Sequence, residues 1–493
     1  MSLTPPERLR RMNDAPVRSD GDFVLYWMTS ARRLRWSHAL DRSVARALEL
    51  GRPLVVLEAV SCDYPWASDR HHQAILDGMA EHERELASSP VCYFPYVEPR
   101  PGDGDGLFAA LAGSACCVVT DDSPAFGTPK LVAAASRLSP VCVEAVDGCG
   151  LLPFRAPGRS FSAAYHFRRY LHKELPKYLA DAPAADPLAG VKLERLRGRL
   201  EAIEDRWPRA TAEQLGDPAF VGSLPIDHSV PSPAWVAGST TGRARLEAFV
   251  EKDLGRYAEA RNDPDSGAVS GLSPWLHYGH LSAHEVFRAV TEAEGWSPLR
   301  LSDVCDGRRA GWWGMSPDAE AFLDQLVTWR ELGFGFAAHV PDHDRYESLP
   351  EWARATLETH ASDPREHLYS LDQLAAAESH DELWNAAQRQ LVGDGIIHNY
   401  LRMLWGKKIL EWTDHPRVAL HVMIELNNRH AIDGRDPNSY SGIFWVLGRF
   451  DRGWPERPVF GKVRSMTSRS TRRKVALAEY LSRWGPQPSL ALG

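Results

Sequence analysis

Three tryptophans form the arrangement most capable of chemistry. Trp405 and Trp412 stand seven apart in Trp405-GKKILE-Trp412, a stretch that reads as one helix. Seven residues are close to two turns, so both indoles share a face, about 10 Å apart along the axis. Trp384 falls on the preceding predicted helix, across a Gly393-Asp-Gly395 break, and can pack between them. Indoles so spaced can stack or pass electrons. The chain has 17 tryptophans, and most of that number is core, because Trp is packed for its area. A second pattern is Ser270, Leu272 and Ser273 ahead of Pro274. A loop with two hydroxyls that enters a helix at a proline offers donors and a favourable dipole to a phosphate. Taken alone, it is an ordinary helix N-cap. Third, residues 449–474 carry nine Lys/Arg against two acids, Asp451 and Glu456, so a nucleic-acid surface would lie there.

These side chains need elements to hold them. At 493 residues the chain exceeds one ordinary core, and two domains are expected. Apolar runs at Phe23–Met28, 53–60, 91–96, 115–120 and 141–146 recur every 25 to 40 residues, with amphipathic stretches such as 71–86 between them. That spacing is what βαβ crossovers need, so residues 1–180 are expected to form an α/β domain with a parallel, Rossmann-like sheet. No GxGxxG follows the first strand. Residues 181–232 are rich in Pro, Ala and charge and read as an inter-domain linker containing one helical piece, 191–207. From there the period is helical: Leu246, Phe249, Leu254 and Tyr257 mark one stripe, and Phe322, Leu326, Trp329, Leu332 and Phe336 another. Residues 233–493 are therefore expected to be all-α.

Composition excludes several classes. No apolar run approaches the roughly 20 residues of a membrane span, and the N-terminal MSLTPPERLRRMND shows no secretory signal. Seven cysteines without a CxxC pair read as reduced thiols of a cytoplasmic protein. The 19 histidines show no HExxH or comparable spacing, so no catalytic metal is expected. A net charge of −8 argues against nucleic acid only if the local basic segment is ignored.

Several ordered motifs share a family. Tyr257-AEARNDP, Ser270-GLSPWLHYG, Leu383-Trp384-Asn-Ala-Ala-Gln, His398-Asn399-Tyr-Leu-Arg402-Met403, Trp405-GKKILE-Trp412, Asp433-GRDPN-Ser-Tyr and Trp454-PERPVFGK, with Val24-LYWM near the start, resemble the class II cyclobutane pyrimidine dimer photolyases of the photolyase/cryptochrome superfamily. The likeness spans nearly the whole chain and is strongest over 235–464. It implies FAD as cofactor and UV-damaged DNA as partner, with the chain acting as a monomer. By this resemblance Tyr257, Ser270, Leu272, Ser273 and Asn399 contact the FAD, Arg402 and Asp433 flank its isoalloxazine, and Asn427 faces N5, with Asn428 beside it as the competing register. The relay would run from Trp412 through Trp384 to Trp405. Trp329 and Trp445 would cradle a flipped-out dimer with Met403 against it, and Arg452 and Arg464 would enter the DNA bubble. The implied reaction is light-driven electron donation from reduced FAD to the dimer. An antenna chromophore, deazaflavin or folate, is left undecided.

The pattern has departures. Gln325 replaces a glutamate four residues before Trp329; an amide can donate a hydrogen bond but cannot deliver a proton as a carboxylic acid does. Gly271 replaces an asparagine, the stretch after Trp445 is about one residue short, and Ser465-Met-Thr-Ser replaces an aromatic segment. Gln325 and Gly271 favour a cryptochrome-like blue-light receptor as the alternative. The retained Trp329, Trp445, Arg452 and Arg464, and the short stretch after Trp484, oppose it. A (6–4) photoproduct enzyme would need different acid–base groups. His277, His280 and His284 could lie near phosphates or lesion, although lone histidines are more often packed or surface groups.

Overall fold

A computed structural model describes residues 4–124, 126–196 and 200–486. The chain divides into two compact units. The first comprises the residues up to Arg159, Tyr170–Val250 and Gly271–Cys305; the second comprises Ser160–Arg169, Glu251–Ser270 and the chain from Asp306 onward.

The first unit is built on a six-stranded sheet: β1 (Leu9–Arg11), β2 (Phe23–Met28), β3 (Leu54–Val60), β4 (Cys92–Val97), β5 (Ala115–Asp121) and β6 (Val143–Val146), in the order β1-β6-β5-β2-β3-β4. Every pairing is parallel except that of β1 with β6. Helices α1 (His38–Leu50), α2 (Asp69–Leu86), α3 (Leu107–Ser114) and α4 (Thr128–Leu138) alternate with the strands. Val24, Tyr26 and Met28 of β2 pack with Leu40 and Val44 of α1 on one face, while Phe23, Leu25 and Trp27 pack with Leu111 of α3 and Val132 of α4 on the other. Both faces are covered, which explains why the strands read as continuous apolar runs. The parallel Rossmann-like sheet expected from the sequence is thus present. Its short edge strand β1, sequence LRR, had no apolar signature to reveal it.

Residues 181–232 fold within the first unit. Leu188, Val191 and Leu193 cover one sheet face, and Leu196, Ile203 and Trp207 the other; Trp207 Nε1 donates to Asp103 O at 3.0 Å. The helix expected over 191–207 is reduced to Glu201–Arg206. Residues 191–196 are not helical, and 197–199 lie outside the described residues. The apolar side chains there are used on the sheet faces, which outweighs local helix propensity.

At the carboxyl ends of the strands, polar groups are tied to one another. Glu58, fully buried, accepts from Arg32 (2.8 Å) and Tyr93 Oη (2.7 Å) and meets His82 Nδ1 at 2.7 Å. Burial opposes its charge, but the His82, Arg32 and Tyr93 partners prevail and hold the carboxyl down at about 2. Asp121 Oδ2 accepts from the backbone N–H of Thr29, Ser30 and Ala31 at 2.8 to 3.0 Å and so closes the turn after β2. Glu58→Gln is expected to leave Arg32 buried without its counter-charge and to cost about 3–5 kcal/mol, read as a lower urea midpoint for the first unit.

The second unit is helical. Its site-bearing elements are α5 (Pro317–Leu323), a π-helical turn (Asp324–Trp329), α6 (Arg330–His339), α7 (Glu382–Asp394), α8 (Asn399–Trp412), α9 (Pro416–His430) and α10 (Pro437–Val446). Helix ends follow local chemistry. Asp381 caps α7 by accepting from the Leu383 and Trp384 N–H groups, and Gly395 ends it at φ +71°. Pro416 and Pro437 sit in the first turns of α9 and α10. Helix α8 packs against α7, α9 and α10, and this four-helix assembly carries most of the candidate site.

Candidate functional site

Of the indoles predicted to lie together, Trp384 and Trp412 are in ring contact, and Trp405 meets Trp384 through its main-chain carbonyl. Trp384, Trp405 and Trp412 are 0%, 3% and 2% exposed. Trp384 and Trp412 meet edge to face, with ring centres 5.5 Å apart at 70°. Trp384 Nε1 donates to the main-chain carbonyl of Trp405 at 3.0 Å. Trp405 Nε1 in turn donates to Gln388 Oε1 at 2.8 Å, so all three rings are fixed by packing or by hydrogen bonds. Gln388 was quoted in the motif without a role. Its position four residues after Trp384, on the same helix face, was the available signal.

One turn before Trp405 on α8, Arg402 lies at the centre of a polar cluster. Its guanidinium donates to Asn427 Oδ1 (2.9 Å) and Ser439 Oγ (3.4 Å) and pairs with Asp433 at 3.4 Å. Asn427, buried on α9, donates through Nδ2 to Gly434 O (2.7 Å) and Ser439 Oγ (3.0 Å). Asn428 instead donates to Tyr440 Oη at 2.8 Å, which separates the two registers: Asn427, not Asn428, joins Arg402. A Cβ at Gly434 would collide with Asn427 O, so glycine is required for the loop to close on α9. Ser439 was missed, because nothing in its spacing marks it.

Gln325 and Trp329 share the π-helical turn, where the Arg330 N–H reaches back five residues to Gln325 O. The extra residue breaks the 3.6 period. Phe322, Leu326, Leu332 and Phe336 stay buried while Trp329 turns to half-exposure, as does Gln325. Asp324 beside Gln325 is paired with Arg168 at 2.7 Å, so that carboxylate is already engaged.

Trp445, at the end of α10 and half-buried, is flanked by Lys407 Nζ at 5.0 Å and by the Arg464 guanidinium at 5.3 Å. Arg464 also lies 4.2 Å over Trp454 and bonds Asp451 through Nε and Nη2 (3.0 and 3.3 Å). Exposed Arg452 lies 5.2 Å over the same Trp454. Cations and indoles thus alternate through this basic segment. Lys407 is fully buried, donates to Val446 O, and is pushed by burial down to about 7. Nothing in GKK marks its first lysine as the one that points inward.

The remaining predicted residues are placed as follows. Asn399 is exposed in the first turn of α8, and Met403 beside Arg402 is half-buried. Tyr257 is buried, edge-on to Phe322 with ring centres 5.4 Å apart and with Arg261 over its ring at 5.7 Å. Ser270 ends a segment of the second unit, while buried Leu272 and exposed Ser273 belong to the first. Gly271 has φ +64°, a conformation for which glycine and asparagine are the usual residues; its replacement of asparagine therefore keeps the backbone turn. His280 and His284 are buried in the first unit, where burial pushes His280 down to about 3. Among the described residues no group of His, Cys, Asp or Glu is arranged to hold a metal ion, and no helix is long and apolar enough to cross a membrane.

The fold is that of a photolyase. It matches a bacterial class III photolyase from Agrobacterium tumefaciens with a TM-score of 0.68, over 94% of this chain and 86% of that one, at 17% identity. The chain is 32% identical over 480 residues to the deoxyribodipyrimidine photo-lyase of Methanothermobacter thermautotrophicus, covering 97% of this chain and 98% of that one. It is 33% identical over 480 residues to that of Oryza sativa subsp. japonica (94% and 87%) and 32% over 487 to that of Potorous tridactylus (97% and 85%). No family model matches the chain. The chain belongs to the deoxyribodipyrimidine photo-lyase family, within the photolyase/cryptochrome superfamily, whose members use a flavin-type cofactor.

Lys407 makes stability depend on pH. Its folded value of about 7 lies below the ordinary 10.5, so between those limits the unfolded chain binds more protons and stability rises with pH. Below about 7 both states are charged and the burial penalty is fully present. Urea unfolding across this window should show that rise, and Lys407→Met should abolish it.

Proposed function

We propose that this chain is a class II enzyme that splits cyclobutane pyrimidine dimers in DNA, using light and FAD. The observation carrying this reading is the contact of Trp412 with Trp384 and of Trp384 with Trp405 beside the Arg402–Asp433 pair, within a chain similar along its length to named deoxyribodipyrimidine photo-lyases. The donor set suits a flavin. A guanidinium paired with a carboxylate and a buried amide, one helical turn from Trp405, favours a flat heteroaromatic ring that takes up negative charge. When bound, FAD supplies the light absorption and the electron exchange.

The chain's own residues do the rest. Arg402 and Asp433 orient the ring and offset its charge, and Asn427 holds Arg402 and lies ready to support N5, exchanging its Ser439 contact to do so. Tyr257, Ser270 and Asn399 of the second unit hold the rest of the FAD. Trp412, Trp384 and Trp405 carry electrons inward to prime the enzyme. Trp329 and Trp445 stack on the flipped-out dimer with Met403 against it, Gln325 donates a hydrogen bond to a pyrimidine carbonyl, and Arg452 and Arg464 contact the opened duplex. Residues 1–180 serve as the antenna-bearing domain, 181–232 as a linker whose apolar side chains lie on that domain's sheet, and 233–493 as the catalytic domain. The seven free cysteines fit a reduced, cytoplasmic setting, and the enzyme works as a monomer.

The test is to reduce the flavin-loaded protein, add DNA containing thymine dimers, illuminate with blue light and follow the return of thymine absorbance. Absorbance should recover. No recovery with intact flavin photoreduction would overturn the repair reading in favour of a receptor. Trp329→Ala should weaken binding of dimer-containing DNA by about 1–3 kcal/mol with little effect on undamaged DNA, and Gln325→Glu should raise the repair yield per absorbed photon.

A further inference from the structure

Trp412, the tryptophan at the outer end of the relay, is nearly as buried as the other two, and an aromatic cluster covers it. The Tyr369 ring centre lies 5.4 Å from that of Trp412 at 73°, matching the 5.5 Å and 70° between Trp384 and Trp412. The Tyr369 N–H donates to Trp412 O at 3.1 Å, so the spacing is held by backbone as well as packing. Beyond the phenol stands His380, exposed, with its ring 5.2 Å from Trp412 and 3.8 Å from His367.

Two hydrogen-bond contacts tie Tyr369 to His380. The phenol oxygen accepts the His380 backbone N–H at 3.0 Å and lies 2.7 Å from His380 Nδ1. With His380 neutral and its ring hydrogen on Nε2, Nδ1 is free to accept the phenol's own hydrogen across the 2.7 Å contact. A tyrosine gives up an electron readily only if its proton can leave with it. Tyr369 has such an acceptor, while Trp384 and Trp405 have their N–H groups on a main-chain carbonyl and an amide.

We propose that Tyr369 is the terminal electron donor of the relay and His380 its proton acceptor. Once Trp412 has given an electron inward toward the photoexcited flavin, one electron leaves Tyr369 to fill the vacancy on Trp412. The phenolic proton passes to His380 Nδ1. The products are neutral Trp412, a neutral tyrosyl radical and an imidazolium; the flavin is the one-electron oxidant. A thiol-class reductant in solution then restores Tyr369, and His380 returns its proton to water. A neutral tyrosyl radical must regain a proton before it can take its electron back, so charge separation outlasts that of a relay ending at Trp412.

His380 must be neutral to accept. Partial burial, His367 and Lys408 hold it below the ordinary 6.5 against the opposing pull of Asp381 and Glu366; Lys408 itself lies 5.2 Å over Trp412 and pairs with Glu411. The acceptor is therefore available at neutral pH and lost on acidification.

This inference rests on the relay reading, and electron paramagnetic resonance with flash absorption on the oxidised, flavin-loaded full chain distinguishes the two. A tryptophan radical should give way to a tyrosyl radical, whose yield falls as pH drops below His380's lowered value. Tyr369→Phe keeps the ring and should lose the tyrosyl signal, leaving a tryptophan radical that recombines faster. His380→Gln should slow tyrosyl formation and remove its pH dependence. A tyrosyl signal unchanged in Tyr369→Phe, or a native protein that stops at the tryptophan radical, would overturn the inference alone. Loss of every radical in the native protein would sink the relay reading and this inference with it.

Discussion

The indole N–H of Trp384 donates to the main-chain carbonyl of Trp405, and this bond fixes α7 against α8. A carbonyl inside a helix is normally spent on the helix itself, so an indole donor can reach it only when the two helices lie in close contact. Asp381 sets the start of α7 at Trp384, and Gly395 ends the helix so that the chain can return as α8. On α8 the same turn presents Arg402 to the polar cluster and Trp405 to the relay. A shift of α7 by one residue would rotate Trp384 by about 100° and disconnect Trp412 from Trp405. The electron relay proposed for the second unit therefore depends on a register.

Charge separates the tryptophans into two kinds. Trp445 has a basic group on either side, Lys407 and Arg464, and the positive charge of Arg464 beside an indole makes removal of its electron harder. Trp384 and Trp405 lie among neutral partners, an edge-on ring, a carbonyl and an amide. The first arrangement suits an aromatic surface for stacking and the second the inner part of the proposed relay, while Trp412 at its outer end carries Lys408 5.2 Å over its ring, paired with Glu411. Asp451 moderates the stacked group by pairing with Arg464, while Arg452 remains an exposed cation of that segment.

Much of this was legible in the sequence. Continuous apolar runs marked β2 to β6, because strands buried on both faces cannot hide their composition. The seven-residue spacing of Trp405 and Trp412 placed them on one helix face. What escaped were features that depend on contacts distant along the chain or on departures from ideal geometry. Tyr369, His380 and Trp412 converge from three separate segments. The π-helical turn that swings Trp329 out of its apolar stripe leaves no trace in composition. Residues 181–232 looked like a spacer because prolines and charges outnumber the few apolar side chains, yet those few lie on the sheet. Gly271 looked like a lost polar contact and is better understood as a left-handed turn kept by another residue.

The account depends on electrons passing through Trp384. The most direct measurement is the rate of flavin reduction under continuous blue light in the oxidised, flavin-loaded protein, compared with Trp384→Phe, which keeps an aromatic ring but has no N–H for Trp405. The account predicts that reduction is readily driven in the native protein and nearly lost in the variant, with flavin content and thermal stability retained. Reduction at the native rate in Trp384→Phe would contradict it and require a path that does not run between α7 and α8.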